Sequence, residues 1–144
     1  FFHDRCQQAA YSLVPESQRA ALRYQIGRRL VAATPESSLS DNIYNVVAQL
    51  NHGLANVRTG SAEERRQLAS FNHLASLKAS KSFAFEASLN YLEIARSLLS
   101  WTNEDPEEYE LLTKVIEALI GVEYSLVDYK SSLEYARIYL AHAY

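Results

Sequence analysis

Glycine and proline, the residues that most readily interrupt helices, are scarce in this 144-residue chain, which has four glycines and three prolines. Neither Asn-Gly nor Asp-Gly, the dipeptides typical of tight β-hairpins, occurs in it. Between the interruptions, apolar residues recur every three or four positions, which places them on one face of an α-helix. The sequence therefore predicts an all-α fold of about seven helices.

Capping residues indicate where several of the helices begin. Ser61 is followed three positions later by Glu64, which is the pattern of a capping box. Asp105 precedes Pro106, and proline is well tolerated in the first turn of a helix. The acidic clusters 63–64 and 104–108 coincide with these starts, where carboxylates favour the helix dipole. Further caps are predicted at Asp4 and at either Ser40 or Asp41.

The helical spacing also predicts which residues face the core. The expected buried faces are Leu22, Ile26 and Leu30 in the second helix, Ile43, Val46, Val47, Leu50 and Leu54 in the third, Leu68, Phe71, Leu74, Ala75 and Ala79 in the fourth, Leu111, Leu112, Val115, Ile116, Leu119 and Val122 in the sixth, and Leu133, Ala136, Tyr139 and Leu140 in the last. Cys6, the one cysteine, is expected to be a small buried core residue.

Charge and motif content exclude several function classes. Seventeen acidic and fourteen basic residues are interspersed along the chain, which argues against a nucleic-acid partner. Short apolar runs argue against a membrane span, and no signal peptide is evident, so a cytoplasmic location is expected. No phosphate loop, metal-ligand spacing or catalytic motif occurs, so we predict neither a catalytic residue nor a metal site, and no cofactor held by this segment alone.

The fourth and fifth helices are predicted to form a tight antiparallel pair. Leu74, Ala75, Ala87 and Tyr91 fall at the spacing of the tetratricopeptide (TPR) signature, in which small residues let two helices approach closely. The sixth and seventh helices repeat this pattern loosely. We therefore expect antiparallel helix pairs in a TPR-like right-handed superhelix, and a plain helical bundle stays open as the alternative.

Nearly the whole chain resembles a known family. The run FHDRCQQAAYSLVPESQRAALRYQIGRRLVAATPE, continued by ERRQLASFNHLASLKASKSFAFEASLNYLEIARSLL, is similar to the AAA-type ATPase region of large multidomain signalling kinases, whose nucleotide module belongs to the signal-transduction ATPases with numerous domains (STAND). The resemblance is strongest over 2–33 and 68–99 and weak after Trp101. In that family a winged helix leads through an F-x-H-D-R-x-Q-Q-A-A-Y phrase into a TPR-like region.

The resemblance implies a role for His3. The phrase is also similar to the Met-His-Asp motif of NB-ARC switches, whose histidine contacts the terminal phosphate of ADP. By position, His3 would be the ADP phosphate sensor and Asp4 the cap of the helix that carries it. ATP or ADP with magnesium would then bind the parent module, because this segment has no phosphate loop.

Two function hypotheses follow. In the first, 1–34 is the end of a winged helix with linker helices, 35–144 is a TPR-like region, and the segment couples nucleotide state to the output of a hybrid histidine kinase or serine/threonine kinase. Its partners would be the neighbouring nucleotide-binding and winged-helix domains, and a protein or small molecule on the helical arm. In the second, the chain is a stand-alone TPR-like scaffold that binds peptides. The absence of methionine, even at the start, leads us to expect a fragment of a longer protein.

Overall fold

A computed structural model describes residues 2–101, 104–126 and 129–142. Within these ranges the chain forms eight α-helices and one 3-10 turn, and no strand. The elements are α1 (Phe2–Ser12), α2 (Glu16–Ala33), α3 (Glu36–Leu50), the 3-10 turn (Asn51–Gly53), α4 (Leu54–Arg58), α5 (Ala62–Lys81), α6 (Phe85–Ser97), α7 (Pro106–Ser125) and α8 (Tyr129–His142). The all-α prediction is confirmed, and about seven helices were expected because the five-residue α4 has no periodic signal of its own.

The caps of α5 and α7 are confirmed. Ser61 Oγ accepts a hydrogen bond of 3.2 Å from the backbone N–H of Glu64. Asp105 Oδ1 accepts bonds of 3.0 Å and 3.1 Å from the backbone N–H groups of Glu107 and Glu108. Each cap satisfies amide groups that a helix leaves without a partner in its first turn, which fixes where these two helices begin.

Two other predicted caps were wrong. α3 begins directly after Pro35, so Ser40 and Asp41 lie inside it. Pro35 forms no side-chain cap bond. Its ring fixes φ at −57°, which is close to the φ of the helix that follows. α1 begins at Phe2, which places Asp4 in the first helical turn instead of at the cap.

Helices that follow one another pack as antiparallel pairs. The most extensive contacts join α5 with α6, α7 with α8, and α2 with α3. α3 also packs on α5, α6 packs on α7, and α5 reaches α7 directly. A single core runs through these contacts, and it includes most of the stripe residues predicted for α3, α5 and α7: Ile43, Val46, Val47, Leu50, Leu68, Phe71, Ala75, Leu112, Val115, Ile116, Leu119 and Val122. Leu92 and Ala95 of α6 also belong to this core.

Serine hydroxyls hold α5 against α6. Ser88 is fully buried, and its Oγ donates to the backbone oxygen of Ser76 over 3.0 Å. The Oγ atoms of Ser80 and Ser88 lie 2.8 Å apart. Ala87, which was predicted to lie at this crossing, is exposed. The adjacent Ser88 takes that place because it is small and its hydroxyl finds partners on α5.

A reciprocal amide pair joins the 3-10 turn to α5. Asn51 Nδ2 donates to Asn72 Oδ1 and Asn72 Nδ2 donates to Asn51 Oδ1, each over 2.9 Å. Asn72 also donates to the backbone oxygen of Leu68 and is fully buried. Because a buried amide is costly without partners, this pair fixes the register between the two elements.

The predicted face of α2 was wrong. Ile26 and Leu30 are 39% and 36% exposed, whereas Gly27 is buried and Tyr24 packs against the core. A Cβ atom at Gly27 would stand only 2.7 Å from Leu50 Cδ2, so the missing side chain is what lets the two helices approach here. The close approach of the backbone, not the position of the larger apolar residues, decides how α2 is rotated.

Two further expectations about burial were wrong. Cys6 is exposed on α1, and among the described residues α1 has no extensive contact with another helix. On α8, Leu133 and Leu140 are 61% and 57% exposed, while Tyr135 is buried. The division into 1–34 and 35–144, and the TPR-like superhelix, stay predictions. No described helix has both the length and the apolar content that a bilayer crossing requires.

Candidate functional site

A groove runs along α2, α5 and α7. A depression of about 230 Å³ opens between α2 and α5, and one of about 370 Å³ opens between α5 and α7. Gln67 and Phe71 of α5 line both depressions, so the two form one continuous surface. We call this surface the α2–α5–α7 groove.

The floor of the smaller depression is apolar. Val31 comes from α2, Leu50 from the end of α3, and Leu68 and Phe71 from α5. Leu50 and Leu68 are each 3% exposed, and Phe71 is 8% exposed. Since these residues also belong to the core, the shape of the floor is set by the packing of the fold.

The rim of the groove is charged. Arg28 and Glu64 face each other across the smaller depression, with Nη1 and Oε1 3.6 Å apart. At the larger depression the Arg66 guanidinium pairs with Asp105 and lies 3.4 Å from Glu107 Oε2. These ion pairs connect α2 to α5 and α5 to α7 across the groove.

Hydrogen bonds strengthen the acidic character of the α7 start. The pKa of Asp105 is lowered, first by the backbone N–H of Glu108 and then by the Arg66 guanidinium and the backbone N–H of Glu107. Glu108 is 4% exposed and accepts from the backbone N–H and the hydroxyl of Ser100. Both bonds go to Oε1 of Glu108, so this buried carboxylate holds the loop before α7.

Aromatic residues of the C-terminal helices mainly support the fold. The Trp101 ring stacks on His142 with centroids 4.4 Å apart and meets Tyr109 edge-on at 5.2 Å. The Tyr135 hydroxyl donates to Glu93, and the Arg96 guanidinium lies 5.3 Å from its ring centroid. Burial, together with the Glu93 contact, raises the pKa of Tyr135. These contacts tie α8 to α6 and α7.

The geometry of the groove fits binding better than catalysis. Its polar lining consists of carboxylates, arginines, Gln67, Ser70 and Tyr24, with no histidine, cysteine or lysine among the lining residues. Among the described residues no group of three or more His, Cys, Asp or Glu side chains could hold a metal ion. An apolar floor with a few polar groups at its edge is the usual form of a recognition surface.

The predicted site residue lies elsewhere. His3 is in α1, and its side chain lies outside the described residues, so its role as ADP phosphate sensor stays a prediction. The groove was not predicted as a site. The charge clusters 63–64 and 104–108 were the only sequence signal near it, and they are equally explained by helix starts.

Comparison with known proteins gives one context for this chain. It is 32% identical over 127 residues to hybrid signal transduction histidine kinase G of Dictyostelium discoideum, a match that includes 78% of this chain and 4% of that protein. The chain thus spans a small part of the relative's length. No family model matches the chain, and no solved structure matches it. The similarity relates this chain to one segment of that histidine kinase.

Proposed function

We propose that this chain is a regulatory and interaction segment of a STAND-type ATPase module in a multidomain signalling kinase, where it couples the nucleotide state to downstream output. The observation that carries the proposal is the 32% identity to a hybrid histidine kinase over 127 residues. The quoted phrase around His3 supports the assignment to an ATPase module. The ATP or ADP and the magnesium ion belong to the parent chain.

The proposed segment works as an arm with two functional ends. At α1, the imidazole of His3 donates a hydrogen bond to the terminal phosphate of ADP, and the helix start adds favourable positive potential. At the α2–α5–α7 groove, a partner binds. A partner changes the output only if it binds the ADP-bound and ATP-bound arrangements with different affinity. The consecutive antiparallel pairs, with α5 also touching α7, support a TPR-like arm.

The test uses the intact parent kinase. His3→Ala is expected to weaken ADP binding and to raise basal phosphorylation, measured by nucleotide titration and by phosphate transfer in the absence of stimulus. Gln8→Ala is the matched control, because Gln8 is an exposed residue on the same helix. If His3→Ala leaves both ADP affinity and basal output at the level of Gln8→Ala, the sensing role is wrong.

The groove itself favours a second candidate, a stand-alone TPR-like scaffold that binds peptides without a nucleotide role. The two candidates differ in the sequence that precedes residue 1 in the native gene. The first requires a phosphate loop followed by an acidic Walker B strand. A gene without these two elements would leave only the scaffold.

A further inference from the structure

We propose that the α2–α5–α7 groove binds a peptide segment that carries one bulky apolar side chain and a nearby lysine or arginine. This inference deepens the proposed function, since it names the chemistry of the partner on the helical arm. It is argued from the shape of the smaller depression, the charges of the larger one and the polar residues between them.

The smaller depression suits a single bulky apolar side chain. Its volume of about 230 Å³ is enough for a leucine or phenylalanine side chain, and Val31, Leu50 and Phe71 offer an apolar floor. Tyr24 adds an aromatic wall that is itself packed against the core. Because the floor is already formed, an entering side chain would lose water without requiring the helices to move.

The larger depression carries an excess of negative charge. Glu63 and Glu107 both line it, and Arg66 is the one cation in its lining. Arg66 is already held by Asp105 and Glu107, so its charge is shared between two carboxylates. Glu63 makes no ion pair with any residue in the described ranges. A cation from the partner therefore meets a negative rim.

The smaller depression does not reverse this balance. Its arginine, Arg28, pairs with Glu64 across the opening, and the side chains are 49% and 41% exposed. The groove is lined by three glutamates and two arginines, and both arginines already form ion pairs within the chain. An acidic or phosphorylated segment would be repelled by this surplus, while a basic segment would be attracted.

Polar groups that could bind the peptide backbone lie between the two depressions. Gln67 lines both of them, Ser70 lines the larger, and both residues are exposed. An amide and a hydroxyl can each donate and accept, which suits the alternating N–H and C=O groups of a peptide. The groove therefore offers an apolar anchor, backbone partners and an acidic subsite.

The experiment measures binding to the purified chain by fluorescence anisotropy with three labelled nine-residue peptides. The first has a central phenylalanine, two lysines on its C-terminal side, and otherwise alanine and serine. The second replaces the lysines by glutamate, and the third replaces the phenylalanine by alanine. We expect the first peptide to bind at least about tenfold more tightly than either of the others, and its affinity to fall with added salt.

Two variants locate the binding in the groove. Glu63→Gln removes the carboxylate of the acidic subsite that makes no ion pair in the described ranges, and Ala32→Trp fills the smaller depression from an exposed position that lines it. Each should weaken binding of the first peptide by about fivefold or more. The matched controls, Glu117→Gln on α7 and Ala21→Trp on α2, replace exposed residues away from the groove and should bind as the unaltered chain does. Circular dichroism checks that every variant is folded, and if one variant is not, the other decides.

Each outcome decides the inference. Selective binding that both groove variants weaken supports it. Absence of binding, equal affinity for the three peptides, or selective binding that the groove variants leave unchanged overturns it. This measurement contains no kinase readout, so its failure leaves the proposed regulatory role standing. Conversely, the loss of that role in the His3→Ala experiment would leave the peptide-binding result unaffected.

Discussion

α2 and α5 have similar lengths but are held in the fold by different means. α5 buries seven residues, whereas α2 buries Gly27 alone. Ile26 and Leu30 of α2 stay partly exposed, and Leu13 just before it is 85% exposed. α5 is thus fixed by a broad apolar face, whereas α2 packs on α3 through partly buried side chains such as Tyr24 and Val31 and through the close approach at Gly27. The comparison shows that the buried core is formed mainly by α3, α5, α6 and α7, and that α2 forms one wall of the groove and packs against this core from outside.

The largest expected effect contrasts a core leucine with an apolar residue of α2. Leu92→Ala removes a fully buried side chain of α6 and should lower the free energy of unfolding by about 2–5 kcal/mol. Ile26→Ala, at a position already 39% exposed, should lower it by about 1 kcal/mol or less. Urea titration followed by circular dichroism measures both. Equal losses of unfolding free energy in the two variants would show that burial of apolar side chains holds α2 in place.

The second contrast uses two helical glycines. In Gly27→Ala the new methyl group would stand 2.7 Å from Leu50 Cδ2 and 3.0 Å from the Leu50 backbone nitrogen. We expect a loss of about 1–3 kcal/mol from this overpacking. Gly121→Ala is the control, since nothing lies within 4 Å of its Cβ position in α7. Alanine should stabilise that helix by up to about 1 kcal/mol. A stabilising Gly27→Ala would contradict the close-approach explanation.

The smallest expected effect is a pH dependence shared by the two regions. Burial lowers the pKa of His73 on α5, and the Lys114 ammonium lowers it further. Burial and then Arg23 lower the pKa of His52, whose Nε2 accepts from Arg23 Nη1 over 2.8 Å. At these two histidines the unfolded chain therefore binds more protons than the folded chain between the lowered folded pKa values and about pH 6.5.

The sign of that dependence follows directly. The contribution of the two histidines to the free energy of unfolding is greatest above pH 6.5. It falls as the pH drops through that value and stops falling below the folded pKa values. His73→Gln should flatten the part of the slope that comes from α5, and His52→Gln the part that comes from the 3-10 turn. Unfolding free energies at pH 7.5, 6.5 and 5.5 give the slope for each chain. A slope unaffected by either substitution would refute this assignment.

Local signals in the sequence predicted much of the fold. The Ser61 and Asp105 caps depend on hydrogen bonds within three residues, and the stripe 43–50 depends on spacing within one helix. Such features can be predicted because the residues that interact lie close together in the sequence. The buried face of α2 could not be predicted in this way, because the rotation of the helix depends on the close approach of Gly27 to Leu50 of α3.

The candidate site was harder to predict than the fold. Its lining comes from α2, α5 and α7, and no short motif joins residues as far apart as Tyr24, Phe71 and Leu111. The one site residue that the sequence did suggest, His3, came from a family resemblance and not from packing. A groove between helices is a property of how they are stacked, so it appears only once the stacking is known.

The hydroxyl contacts between α5 and α6 have a mechanical consequence. The Ser88 hydroxyl pairs with the Ser80 hydroxyl and donates to the backbone oxygen of Ser76, so neither helix can slide along the other without leaving buried polar atoms unpaired. α5 and α6 should therefore tilt together as one lever. A force applied where α5 borders the groove would be transmitted to the far end of the hairpin, where Phe83 projects into solvent at a positive φ of 59°.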